Sequence, residues 1–87
     1  MDKLFYVYIL RCSDGTLYCG YTTDLDKRLQ THNRGEGAKY TKNRLPVVLV
    51  YSEVCQTKSE ALKREYAIKQ MTRQQKLILI QTHEQIN

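Results

Sequence analysis

The stretch FYVYILRCSDGTLYCGYTTDLDKRL, residues 5–29, contains two short runs of β-branched and aromatic residues, separated by Ser13, Asp14 and Gly15. Such runs on either side of a turn predict a β-hairpin. Four tyrosines lie in these runs, at positions 6, 8, 18 and 21. Because a buried phenol needs a hydrogen-bond partner, clustering several of them is a costly way to build an ordinary core. The hairpin therefore raises the question of what the phenols do.

The length of the turn decides which tyrosines share a face of the sheet. A two-residue turn at Asp14 and Gly15 would send Tyr8 and Tyr18 to opposite faces. A longer loop that includes Ser13, with Gly15 in the left-handed conformation, would put both on one face and Gly20 opposite Tyr8. The other face would then be nearly pure hydrocarbon, formed by Phe5, Val7, Ile9, Leu17 and Cys19. We predict this second register, because a one-residue slip would mix the two faces.

The next segments predict a helix, a loop and a strand. Residues 24–33 predict a short helix capped by Thr23, on which Arg28 and His32 share a face because they are four residues apart. Residues 34–45 contain two glycines and four basic side chains, which predicts an exposed loop suited to phosphate. The run of apolar and β-branched residues after Pro46 is typical of a third strand.

The C-terminal part predicts two helices. The sequence TKSE, residues 57–60, has the form of a capping box and starts the first of them. Placing residues at intervals of about 100° puts Glu65 between Ala61, Leu62 and Ile68, so a carboxylate lies in the stripe that should face the protein. The alternative to a functional, inward-facing Glu65 is a surface carboxylate that pairs with Lys69 at i+4.

A chain of 87 residues forms one small domain. The second C-terminal helix follows a break near Thr72. Residues 83–87 are predicted to be a frayed tail, which leaves residues 1–82 as the domain.

Composition indicates an intracellular protein with a polyanionic partner. Lys and Arg number 14 against 9 Asp and Glu, for a net charge of +5 and a pI near 9.2, which favours nucleic acid over a basic surface kept for solubility. The cysteines, Cys12, Cys19 and Cys55, have no CxxC spacing and indicate small buried hydrophobes, not disulfides or a zinc site. The N-terminus lacks the features of a signal peptide, and its apolar run is too short for a membrane span. We therefore expect a cytoplasmic location and no membrane partner.

The segments YVY at residues 6–8 and YCG at residues 18–20 resemble the paired GIY and YIG signatures of the GIY-YIG nuclease superfamily. Arg28 after the second signature and Glu65 in the later helix also match. The resemblance extends over residues 4–80 and is to the small stand-alone bacterial members. It implies a small α/β (α+β) domain with a three-stranded antiparallel sheet flanked by about three helices. It also implies metal-dependent hydrolysis of phosphodiester bonds in DNA, with low sequence specificity, in DNA repair or processing.

The resemblance implies a role for each matched residue. Tyr8, Tyr18 and Arg28 are the expected catalytic residues, and Glu65 is expected to hold a single Mg²⁺ or Mn²⁺, the other ligands being water and substrate oxygens. Arg28 offers a rigid charged fork that suits a phosphate. Either tyrosine could take a proton from the attacking water, or the metal could activate it. Since an unperturbed phenol has a pKa of about 10, a cation, Arg28 or the metal, is expected to lower it.

Further basic residues are expected to contribute to the site. His32 is added as a catalytic candidate, and Lys69 as a nucleic-acid contact, from helix geometry. In the basic loop, Lys39, Lys42 and Arg44 are expected to contact phosphates, although such loops are usually just solvated.

Two departures from the family leave an alternative function open. Many members have a lysine where this chain has Tyr21, and several have an asparagine late in the domain, where here only Asn87 follows Glu65. A nucleic-acid-binding domain with weak or absent catalysis is therefore the alternative to a nuclease. An interaction domain with incidental charge is a weaker third reading. We expect DNA in preference to RNA, and a monomer by default.

Overall fold

The computed structural model describes residues 3–86, with the side chains of residues 3–83. Its elements follow the order β1 (Phe5–Arg11), β2 (Leu17–Thr22), α1 (Leu25–Asn33), α2 (Lys39–Lys42), β3 (Val48–Cys55), α3 (Lys58–Lys69) and α4 (Arg73–Ile86). The three strands form one antiparallel sheet in the order β2-β1-β3. The predicted α+β architecture is confirmed, with one short helix more than expected.

The hairpin has the register predicted from its two faces. Tyr8 of β1 lies opposite Gly20 of β2. Gly15 has a φ of +84°, the left-handed conformation that glycine adopts without strain. The N–H of Cys12 donates to the carbonyl of Thr16 at 2.8 Å and closes the loop. The three-residue loop is therefore correct, and Tyr8 and Tyr18 share a face of the sheet.

The sheet separates two hydrophobic clusters. The larger one lies between the sheet and the helices α3 and α4, and contains Val7, Ile9, Cys19, Tyr51, Cys55, Ala61, Ile68 and Ile80. The smaller one lies on the opposite face, where α1 covers the sheet, and contains Tyr8, Leu10, Cys12 and Val47, with Leu25 and Leu29 packed against it. The phenol of Tyr8 is thus part of the smaller core.

The helix starts follow their capping residues. Thr57 caps α3 and accepts a hydrogen bond from the N–H of Glu60 at 3.1 Å, as predicted. The Glu60 carboxylate reaches back to the N–H of Gln56 at 3.0 Å, one residue before the predicted partner. The N-cap of α1 is Asp24, whose carboxylate accepts from the N–H of Lys27 at 3.1 Å. The prediction of Thr23 as this cap was wrong by one residue, and aspartate is the stronger N-cap of the two.

The orientation of α3 is fixed by a polar network on the α3–α4 face. The Nε of Arg64 lies 2.5 Å from Oε1 of Glu53 in β3. The hydroxyl of Tyr51 donates to the same carboxylate, and its ring meets that of His83 in α4 edge-on at 5.0 Å. Burial is the main cause that raises the pKa of Tyr51 to about 12, so the network holds a neutral phenol.

Two further segments differ from or extend the expectations. The predicted loop at residues 34–45 contains α2, a single turn in which Thr41 is buried. The last helix continues through Ile86, and the side chains of residues 84–87, in the tail predicted to be frayed, lie outside the described residues, so that boundary stays a prediction. Within residues 3–86, none of the helices combines the length and apolar character that a bilayer span requires.

Candidate active site

Tyr8 and Tyr18 lie close together because Gly20, which is opposite Tyr8 and two residues after Tyr18, has no side chain. A Cβ atom at Gly20 would be 2.6 Å from the Tyr8 hydroxyl oxygen and 3.3 Å from Cε2 of Tyr18. The Tyr8 ring therefore lies against the bare backbone of β2, and its side chain is only 2% exposed. Gly20 thus allows the Tyr8 side chain to approach the β2 backbone closely, as a glycine inside a strand predicted.

A chain of hydrogen bonds starts at Arg28 and passes through the Tyr8 phenol. Nε of Arg28 donates to the Tyr8 oxygen at 3.3 Å, and this oxygen lies 3.0 Å from Nε2 of His32. Nδ1 of His32 lies 2.9 Å from Oγ1 of Thr41, whose hydroxyl donates to the carbonyl of Ala38 at 3.1 Å. His32 and Thr41 are fully buried. The structure thus joins three of the residues expected to be catalytic: Tyr8, Arg28 and His32.

The charge states of this chain differ from expectation. Burial raises the pKa of Tyr8, and this outweighs the hydrogen bond and positive charge of Arg28, which lower it. Arg28 acts in the expected direction, but it does not bring this phenol's pKa below its ordinary value, because the ring is buried in the smaller core. Burial, and next the charge of Arg28, lower the pKa of His32. At neutral pH, a neutral phenol therefore faces a neutral imidazole.

Tyr18 forms an aromatic wall beside this chain. Its ring meets His32 edge-on at 5.5 Å and stacks with Tyr40 at 6.0 Å. The guanidinium of Arg44 lies 4.1 Å from the centre of the Tyr40 ring and pairs with Asp14 at 3.1 Å. Arg44, which was expected to contact phosphate, thus contacts Asp14 and the Tyr40 ring instead. Lys39 and Lys42 of the same segment are exposed.

Glu65 lies on the other side of the sheet, on the helix that packs against β2. Its side chain is 18% exposed, and its Oε2 lies 3.7 Å from Nζ of Lys69. The Cys19 thiol donates weakly to the Glu65 carbonyl at 4.0 Å. The predicted apolar stripe is only partly correct, because Leu62 is 42% exposed. The alternative prediction, an ion pair between Glu65 and Lys69 at i+4, is therefore also present, but the Glu65 carboxylate is half-buried and does not lie on an open surface.

The structure does not connect Glu65 directly with the tyrosines. Among the described residues, no hydrogen bond, ion pair or ring contact joins Glu65 to Tyr8, Tyr18 or His32. The two sides meet instead at the free edge of β2, in an open depression of about 230 Å³. It is lined by Leu17, Tyr18, Cys19, Tyr40, Lys69 and Lys76. The depression combines aromatic rings from one side of the sheet with cations from the other.

The donor set near this depression fits a metal that brings most of its own ligands. Within residues 3–86, no group of three or more His, Cys, Asp or Glu side chains could enclose an ion. Glu65 offers one half-buried carboxylate whose ion-pair partner, Lys69, is at the long distance of 3.7 Å. Mg²⁺ is commonly held by one or two carboxylates, with water and substrate phosphate completing the shell. Glu65 is therefore a suitable single protein ligand.

Three residues of this region were missed from the sequence: Tyr40, Thr41 and Lys76. The interleaving of basic and aromatic residues in KYTKNR, residues 39–44, is the signal that could have identified Tyr40. Lys76 follows the helix break, so helical spacing could not relate it to Lys69. Thr41 has no local signal, since its partner His32 lies in a different helix.

Substituting Gly20 with alanine is expected to destabilise the protein by about 1–3 kcal/mol, the usual cost of overpacking a well-packed site. The Tyr8 hydroxyl, at 2.6 Å from the new Cβ, and Cζ at 2.9 Å would have to move. Urea unfolding measures the change. In a Tyr8→Phe background the closest atom is absent, so the same substitution should cost less. Equal costs in both backgrounds would show that the Tyr8 hydroxyl does not occupy this position.

Comparison with known proteins gives matches over most of the chain. The GIY-YIG catalytic domain family matches residues 4–77. A UPF0213 protein of Staphylococcus aureus is 65% identical over 80 residues, covering 92% of this chain and 96% of that protein. The solution structure of a UPF0213 protein from Bacillus halodurans is 46% identical, with a TM-score of 0.60 over 91% of this chain and 84% of that one. A solution structure from E. faecalis is also 46% identical, with a TM-score of 0.65 over 95% and 88%.

Proposed function

The chain belongs to the GIY-YIG catalytic domain family, and from this premise we propose that it is a nuclease that hydrolyses phosphodiester bonds in DNA. DNA is proposed in preference to RNA, with low sequence specificity, a cytoplasmic location and a role in DNA repair or processing. The observation that carries the proposal is the buried chain from Arg28 through Tyr8 to His32. This chain places a proton acceptor, His32, and a fixed cation, Arg28, within hydrogen-bond distance of the Tyr8 hydroxyl.

Hydrolysis of a phosphodiester needs an aligned water, compensation of charge on the phosphoryl oxygens and help for the leaving oxygen. In our proposal the Tyr8 oxygen takes a proton from the water while its own proton moves to Nε2 of His32. This relay needs no free phenolate, in agreement with burial raising the Tyr8 pKa. It requires neutral His32, which the lowered pKa of this residue favours. Arg28 stabilises the negative charge that develops on the phenol and the phosphate.

Tyr18 and the depression at the β2 edge are proposed to position the substrate. Tyr18 lies beside His32 and lines the depression together with Lys69 and Lys76. Lysine side chains neutralise phosphates on either side of the scissile bond, and an aromatic surface accepts a base or sugar. The phosphate would therefore lie at the rim of the sheet, within reach of residues from both of its faces.

Glu65 is the residue proposed to hold a single Mg²⁺ or Mn²⁺. When bound, such a metal supplies Lewis-acid stabilisation of phosphate oxygens and of the leaving group. The protein's own contribution here is a half-buried carboxylate on a helix fixed by Arg64 and Glu53.

The test is a cleavage assay with purified protein on labelled single-stranded, duplex and branched DNA, with Mg²⁺, Mn²⁺ or EDTA. Cleavage that requires metal supports the proposal. Salt-dependent binding without metal-dependent cleavage supports the second candidate, a nucleic-acid-binding domain with weak or absent catalysis. That candidate is favoured by the lack, among the described residues, of a direct contact between Glu65 and the two tyrosines. Absence of both activities would contradict both functions.

Binding is expected to depend on the exposed lysines more than on Arg44. Lys39→Ala or Lys42→Ala should each lower the slope of log K against log salt concentration by about 0.9 for duplex DNA, since one phosphate contact is lost. Arg44→Ala should instead lower thermal stability, because Arg44 pairs with Asp14 and covers Tyr40. Lys63→Ala, an exposed lysine on α3, is the control. A slope that responds equally to all four variants would show that the basic segment is not the binding surface.

A further inference from the structure

The segment that contains α2 packs directly on the Nδ1 side of the His32 ring. Nδ1 lies 2.9 Å from the Thr41 hydroxyl oxygen. A Cβ atom at Gly37 would lie 2.4 Å from Nδ1 and 2.7 Å from Cγ of His32, so the backbone can pass this close only because residue 37 is glycine. Neither His32 nor Thr41 is reached by solvent. The ring therefore has a fixed neighbour on each of its nitrogens.

The positions of the protons follow from counting the donors in this buried chain. In one arrangement Nδ1–H donates to Thr41, the Thr41 hydroxyl donates to the Ala38 carbonyl, and the Tyr8 hydroxyl donates to bare Nε2. Every donor then has an acceptor. In the other, Thr41 donates to Nδ1, and Nε2–H donates to the Tyr8 oxygen.

The second arrangement leaves one donor without an acceptor. The Tyr8 oxygen would accept from both His32 and Arg28, and its own hydroxyl proton would have no acceptor among the described residues. Tyr8 is only 2% exposed, and a buried donor without a partner is strongly disfavoured. The first arrangement is therefore the one that the structure favours.

We propose that Thr41 and Gly37 are positioning residues that keep the proton of neutral His32 on Nδ1, and so keep Nε2 free to accept the proton of Tyr8. Thr41 supplies the acceptor for Nδ1–H, and Gly37 lets the segment approach the ring. Neither residue touches the substrate in this scheme. The catalytic consequence rests on the proposed nuclease function, whereas the placement of the proton does not.

The direct test is the tautomer of His32, read from ¹⁵N chemical shifts and two-bond nitrogen–proton couplings in the NMR spectrum of the whole protein. Wild type and Thr41→Ser are expected to carry the proton on Nδ1, because serine retains the hydroxyl. Thr41→Val, which has nearly the same shape but no acceptor, is expected to shift His32 towards the Nε2–H form. Wild-type protein with the proton on Nε2 would overturn the proposal, even if Thr41→Val does not fold.

The activity readout separates positioning from mere packing. Thr41→Val is expected to lower kcat about 10- to 100-fold, since a wrongly protonated imidazole loses much of the contribution of a general base, with KM little changed. Thr41→Ser should restore most of it. The acid limb of the pH profile should move to lower pH in Thr41→Val. Removing the acceptor destabilises the imidazolium form of His32 more than the neutral form, which lowers the pKa of His32.

Gly37→Ala is the second variant, because its Cβ would push the ring from Nδ1 and Cγ. It should disturb the His32 spectrum while Thr41 remains present. If wild type does not cleave DNA, the proposed function fails, but the NMR result still decides the placement of the proton. An unchanged tautomer in Thr41→Val, with wild-type kcat, would refute the role of Thr41.

Discussion

Replacing Tyr8 with phenylalanine is expected to reduce DNA cleavage by about 10²–10⁴-fold, the range that a positioned acid–base group contributes. The substitution removes only the hydroxyl that joins Arg28 to His32, and the ring can remain against Gly20. DNA binding should persist, since no cation is lost. Single-turnover cleavage and electrophoretic mobility shift measure the two effects.

The same variant should also be less stable by about 1–3 kcal/mol, because the buried Nε2 of His32 and the Nε of Arg28 lose their partner. Tyr6→Phe is the matched control, since Tyr6 points to the same face of β1 two residues earlier. Tyr18→Phe answers the question of which tyrosine is the base. Tyr18 makes ring contacts with His32 and Tyr40, so losing its hydroxyl should cost less activity than losing that of Tyr8. Wild-type cleavage by Tyr8→Phe would eliminate the relay.

Replacing Glu65 with glutamine is expected to lower metal-dependent cleavage by about 10²–10³-fold, comparable to the loss of one preorganised electrostatic group in other enzymes. Glutamine has nearly the same shape but no charge to hold a divalent cation. DNA binding should persist or become slightly tighter, since a negative charge is removed. Cleavage rate measured against Mn²⁺ and Mg²⁺ concentration is the readout.

A comparison with Lys69→Gln separates this role from the ion pair. If Glu65 serves only to pair with Lys69, both variants should change stability by the same small amount, about 0.3–0.5 kcal/mol, and neither should lose cleavage. In our proposal only Glu65→Gln loses metal-dependent cleavage, while Lys69→Gln weakens DNA binding. Glu36→Gln, which removes an exposed carboxylate paired with Arg34, controls for net charge. Cleavage by Glu65→Gln at the wild-type rate would mean that the metal assignment is wrong.

The hairpin could be predicted because its information is local. Side chains alternate along a strand, so one choice of register decides both faces at once, and only one register gave an apolar face beside paired phenols. The same choice put Gly20 opposite Tyr8, as found. Capping by Thr57 was predictable for a similar reason, since donor and acceptor are three residues apart.

The features that could not be predicted depend on how deeply a side chain is buried and on contacts between segments far apart in the sequence. Glycines at positions 35 and 37 suggested a loop, but the chain makes a turn of helix just after them, at Lys39–Lys42, where Thr41 bonds both His32 and Ala38. The direction of the Tyr8 pKa shift depends on how deeply the ring lies in the smaller core, which no residue pattern reports. The exposure of Leu62 likewise depends on how α3 packs against the sheet, which residue spacing alone does not give.

The central strand of the sheet is also the first to be synthesised, and one of its two neighbours, β3, comes only after α1 and α2. A nascent chain therefore contains Tyr8, Arg28, His32 and Thr41 before β3 and the helix that carries Glu65 have been made. Closing the β1–β3 pairing joins segments far apart in sequence, which is slow compared with forming the hairpin. A chain that stops before α3 would thus lack Glu65, the metal ligand we propose, and the proposed enzyme would become competent only once α3 has packed against the sheet.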